Sequence, residues 1–167
     1  MAIRLTPTSY IVLGLLDACG GATPYELKQM VAAGVGNFWS LQHAQLYTEP
    51  QRLTAAGYLT ERREESGRRR RRYSVTSSRR AALRAWAAEP TDEFTELRDP
   101  GLLRLFFGAD PGPLAAVQLA VHKRRLAEYE ALRDQAGDDA PAGPRLTLDA
   151  GIAHEREWAR FWSKLAC

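Results

Sequence analysis

The stretch "LQHAQLYTEPQRLTAAGYLTERREESGRRRRRYSVT", residues 41–76, decides the fold. Its pattern predicts a helix over residues 40–57 and then a β-hairpin, because strand-forming residues at 58–60 and 73–75 flank a polar turn. Pro50 falls inside the helix, where it removes a backbone donor, so we expect this helix to be bent or short.

Two further helices are predicted before this stretch. Thr6 is a candidate N-cap for the first helix, which should stop at Gly20. Thr23 and Glu26 have the spacing of a capping box, and Gly34 is a suitable end for the helix that they begin. Three helices and a hairpin within about 75 residues are the order of a winged helix-turn-helix.

Five consecutive arginines, Arg68–Arg72, fall at the tip of the predicted hairpin. Residues 1–90 hold 13 Lys/Arg against 7 Asp/Glu, whereas residues 91–167 hold 10 against 13. Such a run is often a solvated loop that binds polyanions without selectivity, or a basic sorting signal. Its position directly after a candidate recognition helix favours contact with DNA phosphates, which would relieve the repulsion within the run.

Enzyme signatures are missing from the sequence. It contains no P-loop, no GxSxG elbow and no HExxH, and the dinucleotide-binding fingerprint fails at Trp39. The three histidines fall on separate predicted helices, and neither cysteine is beside one. We therefore expect no enzymatic activity, no cofactor and no metal.

Two cysteines are too few to indicate a disulfide framework, and no apolar run approaches the roughly 20 residues that span a bilayer. The apolar stretch "YIVLGLL", residues 10–16, lacks a cationic leader and a cleavage-like end. We expect a cytoplasmic protein with no membrane partner.

The second half of the sequence is predicted to be helical throughout. Asp99 should cap a short helix, and a long amphipathic helix should follow over residues 110–137. A linker is expected at 137–144 and a terminal helix at 147–166. The apolar stripe predicted for the long helix consists of Val117, Val121, Tyr129 and Leu132.

The terminal helix carries an apolar ridge, with aromatic and leucine side chains at i, i+3, i+4 and i+7. A single helix has little core of its own in which to bury two tryptophans, so a second copy of the chain is the expected destination of the ridge. The alternative is that both rings lie in the core of one protomer. The predicted dimerisation residues are Ile152, Trp158, Phe161, Trp162 and Leu165.

Residues 5–88 resemble the signature of the PadR family of transcriptional regulators. The matching residues are Leu46-Tyr47, Arg52-Leu53, Gly57-Tyr58-Leu59, Arg70 to Tyr73, and Thr76. Residues 95–165 resemble the α-helical C-terminal domain of the virulence-activator branch. The resemblance implies a bacterial homodimer, usually a repressor, that releases DNA when a small, often aromatic or phenolic, ligand binds. It also implies that Tyr47 contacts phosphate.

We therefore predict a mainly α protein with a winged helix-turn-helix DNA-binding domain at 1–90 and an all-helical dimerisation domain at 95–167. It should bind a pseudo-palindromic operator in double-stranded DNA as a homodimer. The alternative is a protein-interaction adaptor that keeps the winged-helix fold without specific DNA binding. The predicted DNA-contact residues are Thr23, Tyr25, Lys28, Gln42, His43, Gln45, Tyr47, Thr48, Arg52, Arg68, Arg69, Arg70, Arg71 and Arg72.

Overall fold

The computed structural model describes residues 3–63, 70–137 and 140–166. The described residues form two compact units, Met1–Glu93 and Phe94–Cys167. The first unit holds α1 (Pro7–Cys19), α2 (Pro24–Ala33), α3 (Gln45–Ala55), β1 (Leu59–Arg63), β2 (Arg71–Val75) and α4 (Arg80–Ala88). The second holds α5 (Pro100–Phe106), α6 (Pro111–Ala136) and α7 (Ala142–Leu165).

The first unit is a winged helix, as predicted from the sequence. Strands β1 and β2 pair antiparallel, with Leu59 opposite Val75. The apolar faces of α1, α2 and α3 and the base of the hairpin share one core. Its most deeply buried side chains are those of Val12, Leu13, Leu16, Leu27, Leu46, Leu53 and Tyr73.

The predicted starts of α1 and α2 are confirmed. The Thr6 hydroxyl accepts from the Ser9 N–H, and the Thr6 N–H in turn donates to the Ser9 hydroxyl. Thr23 and Glu26 form the same reciprocal pair at the start of α2. Each box satisfies backbone donors that the first helical turn leaves unpaired, which is why these two helices begin where their sequences indicate.

The predicted start of α3 is wrong by five residues, because the helix begins at Gln45 and not at Ser40. A turn precedes it, in which the Gln45 N–H donates to the Gln42 carbonyl at 2.9 Å. The Gln42 N–H donates to the Gln45 side-chain oxygen at 3.1 Å. This turn satisfies backbone groups that a longer helix would have paired, so Gln42 and His43 lie before the helix. From Gln45 the helix continues through Pro50 to Ala55.

Helix α4 follows the hairpin after a short turn. A 3₁₀ turn over Ser77–Arg79 comes first, and α4 begins at Arg80. The Thr76 hydroxyl makes no cap for this turn and donates to the carbonyls of Gly57 and Tyr58 at 3.2 Å. It therefore closes the base of the hairpin.

The connection between α1 and α2 holds the hairpin against the helices. Ala22 and Tyr73 exchange backbone hydrogen bonds at 3.0 and 2.9 Å, which adds a one-residue third strand beside β2. Gly21 precedes this bridge with φ of +133°, and a Cβ there would collide with the Ser74 hydroxyl and lie 2.8 Å from the Tyr73 carbonyl oxygen. Only glycine fits this position without strain.

We predict that Gly21→Ala lowers the free energy of unfolding by about 3 kcal/mol, because it combines a disfavoured backbone conformation with overpacking. Gly57→Ala is the matched control: Gly57 also has a left-handed φ, but a Cβ there meets nothing within 4 Å. It should cost about 1 kcal/mol. Equal losses for the two variants in denaturant unfolding would show that the close approach at Gly21 is unimportant.

In the second unit, Asp99 caps α5 as predicted and accepts from the N–H groups of Gly101 and Leu102. Helix α7 begins at Ala142 and not at residue 147, so the expected linker is partly helical. Proline is compatible with a first helical turn, which explains why the sequence "PAGP" enters the helix.

The seam between α6 and α7 differs from the predicted stripe. Ala115, His122 and Tyr129, spaced seven residues apart, are buried or nearly so. Of the predicted stripe only Tyr129 is buried, whereas Val117, Val121 and Leu132 are exposed. Gly151 of α7 leaves room for the Tyr129 ring, because a Cβ at this position would lie 3.1 Å from it. The two helices therefore approach closely along the seam.

The ridge on α7 is largely used within the unit. Ile152 and Trp162 are almost completely buried, and Gly101 lies so close that a Cβ on it would be 2.9 Å from the Trp162 ring. The Trp158 indole N–H donates to an Asp99 carboxylate oxygen at 2.7 Å. The assignment of Ile152 and Trp162 to a dimer surface is therefore wrong, because α5 and α6 supply the core that the sequence did not reveal.

None of the described helices is both long enough and apolar enough to cross a membrane.

Candidate nucleic-acid interface

A concave groove of about 650 Å³ brings the start of α2, the exposed side of α3 and the start of β2 together. Tyr25 and Tyr47, both predicted contact residues, are half-exposed at its wall. The groove therefore collects residues that are as far apart in the sequence as Thr23 and Tyr73. Its lining is Thr23, Pro24, Tyr25, Tyr47, Gln51, Arg70, Arg71 and Tyr73.

Helix α3 divides cleanly into a buried and an exposed side. Its buried side chains are Leu46, Glu49, Pro50 and Leu53, spaced i, i+3, i+4 and i+7. Gln45, Tyr47 and Thr48 lie on the exposed side, as predicted, together with Gln51. Gln51 was missed by the sequence analysis, although its position three residues after Thr48 places it on the same helical face.

Gln42 and His43 are exposed in the turn that leads into α3, and not on the helix itself. In helix-turn-helix proteins the beginning of the recognition helix reads base edges, so this turn adjoins the relevant end of α3. Lys28 is partly buried on α2 and is not among the residues that line the groove.

Arg52 does not occupy the exposed side as predicted. Its guanidinium forms a bidentate pair with the Glu49 carboxylate, with distances of 2.6 and 2.8 Å, and also donates to the Ser9 hydroxyl. Burial acts to raise the pKa of Glu49, but hydrogen bonds from Arg52 and Ser9 and the charge of Arg52 outweigh it and lower the pKa. Arg52 is thus the partner of a buried carboxylate.

The arginine run does not all lie at the tip of the hairpin. Arg71 and Arg72 belong to β2 and Arg70 directly precedes it, whereas Arg68 and Arg69 lie outside the described residues. The antiparallel pairing with β1 extends to Arg71, so two arginines of the run lie in the ladder.

The register of the hairpin places arginines opposite one another. Arg62 pairs with Arg72, and Arg63 pairs with Arg71. Neighbouring pairs point to opposite faces of the hairpin, so each face carries one pair of like charges, an arrangement that is unfavourable in the free protein. The carboxylate of Glu61 offsets this in part, at 3.5 Å from Arg71 and 3.8 Å from Arg63.

Arg72 contacts residues outside the hairpin. Its guanidinium donates to the Gly21 carbonyl oxygen at 2.5 Å and lies 3.3 Å from a Glu26 carboxylate oxygen. The backbone N–H of Thr23, aided by the charges of Arg72 and Arg70, lowers the pKa of Glu26 despite the opposing effect of burial. Arg72 therefore links the hairpin to α2. The exposed cations of the hairpin also include two arginines of β1 that were not predicted, Arg62 and Arg63, beside Arg70 and Arg71.

Comparison with known proteins gives two matches to family models. Residues 12–85 match the transcriptional regulator PadR-like family, and residues 97–165 match the virulence activator alpha C-terminal family. A curated relative, the negative transcriptional regulator PadR of Bacillus subtilis, is 29% identical over 100 residues, which are 59% of this chain. The match spans 54% of that relative, about half of its length.

Solved structures show the same fold. Bacillus subtilis PadR in its complex with operator DNA matches with a TM-score of 0.84 at 22% identity, covering 98% of each chain. The same protein in complex with p-coumaric acid matches with a TM-score of 0.77 at 23% identity, covering 95% of each chain. A PadR-like regulator from Bacillus cereus gives a TM-score of 0.78 at 18% identity, covering 94% of each chain.

The resemblance predicted from the sequence is confirmed for both parts of the chain. The winged helix of the first unit and the helices of the second coincide with the two matched family regions. The chain therefore belongs to the PadR-like family of transcriptional regulators, in the form that carries a virulence activator alpha C-terminal domain.

Proposed function

We propose that the protein is a sequence-specific DNA-binding regulator that binds a pseudo-palindromic operator as a homodimer. The observation that carries the proposal is the groove, which joins the start of α2, the exposed side of α3 and the arginine-rich strand β2. The adaptor alternative gives no role to this combination of polar helix face and cationic strand.

The hairpin arginines would bind the DNA backbone. Like-charged pairs at Arg62–Arg72 and Arg63–Arg71 repel one another in the free protein. A phosphate bound between two such guanidinium groups attracts both of them, and its binding releases condensed counterions from the DNA. Tyr25 and Tyr47 line the same groove, and their hydroxyls would donate to phosphate oxygens.

The exposed side of α3 would read base edges. Gln45, Thr48 and Gln51 carry amide and hydroxyl groups, which offer both donors and acceptors to the major groove. Gln42 and His43 in the preceding turn extend this polar surface. Base selection would therefore rest on neutral side chains, and affinity on the arginines.

Dimerisation would use apolar side chains that the single chain leaves exposed in the second unit. On α5 and just after it, Leu103, Phe106 and Phe107 are 60%, 83% and 78% exposed. The rings of Phe106 and Phe107 touch edge to face, with centroids 5.2 Å apart. An exposed aromatic patch of this kind is costly in water and is typical of subunit interfaces. We propose that this patch, and not the apolar ridge of α7, forms the dimer interface.

We predict that Phe106→Ser combined with Phe107→Ser gives monomers with unchanged helical content. Loss of the second half-site should weaken operator binding by about a hundredfold. Leu146→Ser is the control, because Leu146 is 64% exposed on α7 and its loss removes a comparable apolar side chain outside the patch. Sedimentation at several protein concentrations measures the oligomeric state. A double variant that stays dimeric contradicts the assignment of the dimer interface to this patch.

We further propose that the protein is a cytoplasmic repressor without enzymatic activity, relieved by a small aromatic ligand. Two comparisons support this: the curated relative is a negative regulator, and the Bacillus subtilis structure contains p-coumaric acid. Phenolic acids are therefore the first ligands to test for release of DNA.

Footprinting of the purified protein on the DNA upstream of its own reading frame tests the proposal. We expect two protected half-sites whose centres are separated by about 10 base pairs or a multiple of that distance, because a two-fold dimer presents two recognition helices. Uniform protection, or none, would favour the adaptor alternative.

A further inference from the structure

We propose that Glu49 and Arg52 are positioning residues for base recognition, which fix α3 on α1 through Ser9, and that Arg52 itself contacts no base. The proposal rests on the proposed function, because it concerns how the recognition helix selects a sequence. In this proposal the polar pair on the buried side of α3 contributes to base selectivity without touching the DNA.

Ser9 is the centre of the arrangement. Its hydroxyl donates to Glu49 Oε1 at 2.6 Å and accepts from the Thr6 N–H at 2.8 Å. It also accepts from Arg52 Nη2 at 2.9 Å. The Ser9 side chain is completely buried and belongs to the first turn of α1. The hydroxyl therefore joins the cap of α1 to the middle of α3.

The geometry of Arg52 excludes a base contact of the usual kind. Arg52 donates through Nε to Glu49 Oε2, through Nη2 to Glu49 Oε1 and Ser9, and through Nη1 to the Arg4 carbonyl oxygen. These bonds use four of the five N–H groups of a guanidinium. The common arginine–guanine contact needs two free N–H groups, and at most one remains.

Directional bonds matter here because the rest of the buried side of α3 is apolar. Leu46, Pro50 and Leu53 pack α3 against the core, but apolar contact alone specifies the rotation and sliding of a helix poorly. A bidentate ion pair with a third bond to Ser9 admits a single arrangement. Because Gln45 and Thr48 are on the opposite side of the same helix, a rotation of α3 would move their hydrogen-bonding atoms away from every base at once.

A double-mutant cycle tests the proposal. The wild type, Glu49→Ala, Arg52→Ala and the double variant are titrated with a duplex that carries the footprinted site and with a scrambled duplex of the same length. We expect each single variant to reduce the ratio of the two affinities by about tenfold, and the double variant to be no worse than either single one, because the two side chains act as one unit. Affinity for the scrambled duplex and its salt dependence should not change.

Two further variants keep the result interpretable. Glu49→Gln retains the shape and one acceptor oxygen, so it provides the measurement if Glu49→Ala does not fold, and it should lose selectivity in the same direction. Arg52→Lys keeps the charge but not the planar fork, so it should fail to restore selectivity. The positions of the site that lose selectivity are also diagnostic: mispositioning relaxes preference across the whole half-site, whereas removal of a single base-reading side chain relaxes one position.

The outcomes separate the two proposals. A selective wild type whose Glu49 variants remain selective, while Arg52→Ala relaxes one base position, overturns the positioning role and restores Arg52 as a base contact. A wild type that binds both duplexes equally overturns the proposed function, and with it this inference.

Discussion

Replacing Arg62, Arg63, Arg70 and Arg71 together with alanine should lower the affinity for every duplex by about 10³-fold at 0.1 M salt, if each arginine neutralises one phosphate. All four side chains are exposed on or beside the hairpin. The slope of log K against log salt should become shallower by about 3 to 4, since each phosphate that is no longer neutralised accounts for about 0.9. Selectivity between sites should change little, because arginines bound to phosphate carry no base information.

The fold should survive this replacement. The four side chains are exposed, and like charges face one another across the strands, so the free energy of unfolding should change by less than about 0.5 kcal/mol. Arg72→Ala is the informative contrast, because its guanidinium bonds the Gly21 carbonyl and pairs with Glu26. That variant should lose thermal stability as well as affinity. Arg104→Ala in the second unit is the control for a general loss of positive charge.

An unchanged salt slope in the fourfold variant would mean that the hairpin does not lie along the DNA backbone. The titration should cover at least about 50 to 200 mM salt, a range over which phosphate-bound proteins commonly lose about 10³ or more in affinity.

Trp162→Ala should lower the free energy of unfolding by about 3 to 5 kcal/mol, the largest stability effect that we expect in the chain. The ring is completely buried in the second unit, close against Gly101. Among the described residues, its indole N–H is the one buried side-chain donor without a hydrogen-bond partner. The destabilisation therefore reflects packing and the cavity left behind, and not a broken hydrogen bond.

Phe161→Ala is the neighbouring control. Phe161 touches Trp162 edge to face, with centroids 5.0 Å apart, but its side chain is 36% exposed. We expect the free energy of unfolding to fall by about 1 kcal/mol. Denaturant unfolding followed by circular dichroism, with sedimentation in parallel, compares the two variants. A Trp162→Ala protein that keeps its stability and falls apart into monomers would return the ring to a subunit interface.

The parts of the fold that the sequence predicted are those fixed by nearby residues. The caps at Thr6, Thr23 and Asp99 involve partners two or three residues away, so spacing alone reveals them. The hairpin follows from short strand-forming segments around a polar turn. The start of α3 was missed because its competitor is a turn held by the Gln45 side chain, and such a turn carries no strong sequence signature.

The site was predicted in outline, but the roles of single residues depend on distant partners. Arg52 could be read as a base contact because Ser9, its partner on α1, lies 43 residues away. Arg72 finds Gly21 across 51 residues of sequence. The burial of Trp162 likewise depends on α5, which lies far away in the sequence. In each case the position in the sequence assigned the residue to the correct unit, and tertiary packing determined its contacts.

The most direct test of DNA recognition is a titration of the wild-type protein with two labelled duplexes of equal length, one with the footprinted site and one with its bases scrambled. We expect binding to the footprinted site to be tighter by about 10³-fold or more, with affinities for both duplexes that fall steeply as salt rises. Equal affinity for the two duplexes, or binding that does not respond to salt, would contradict it.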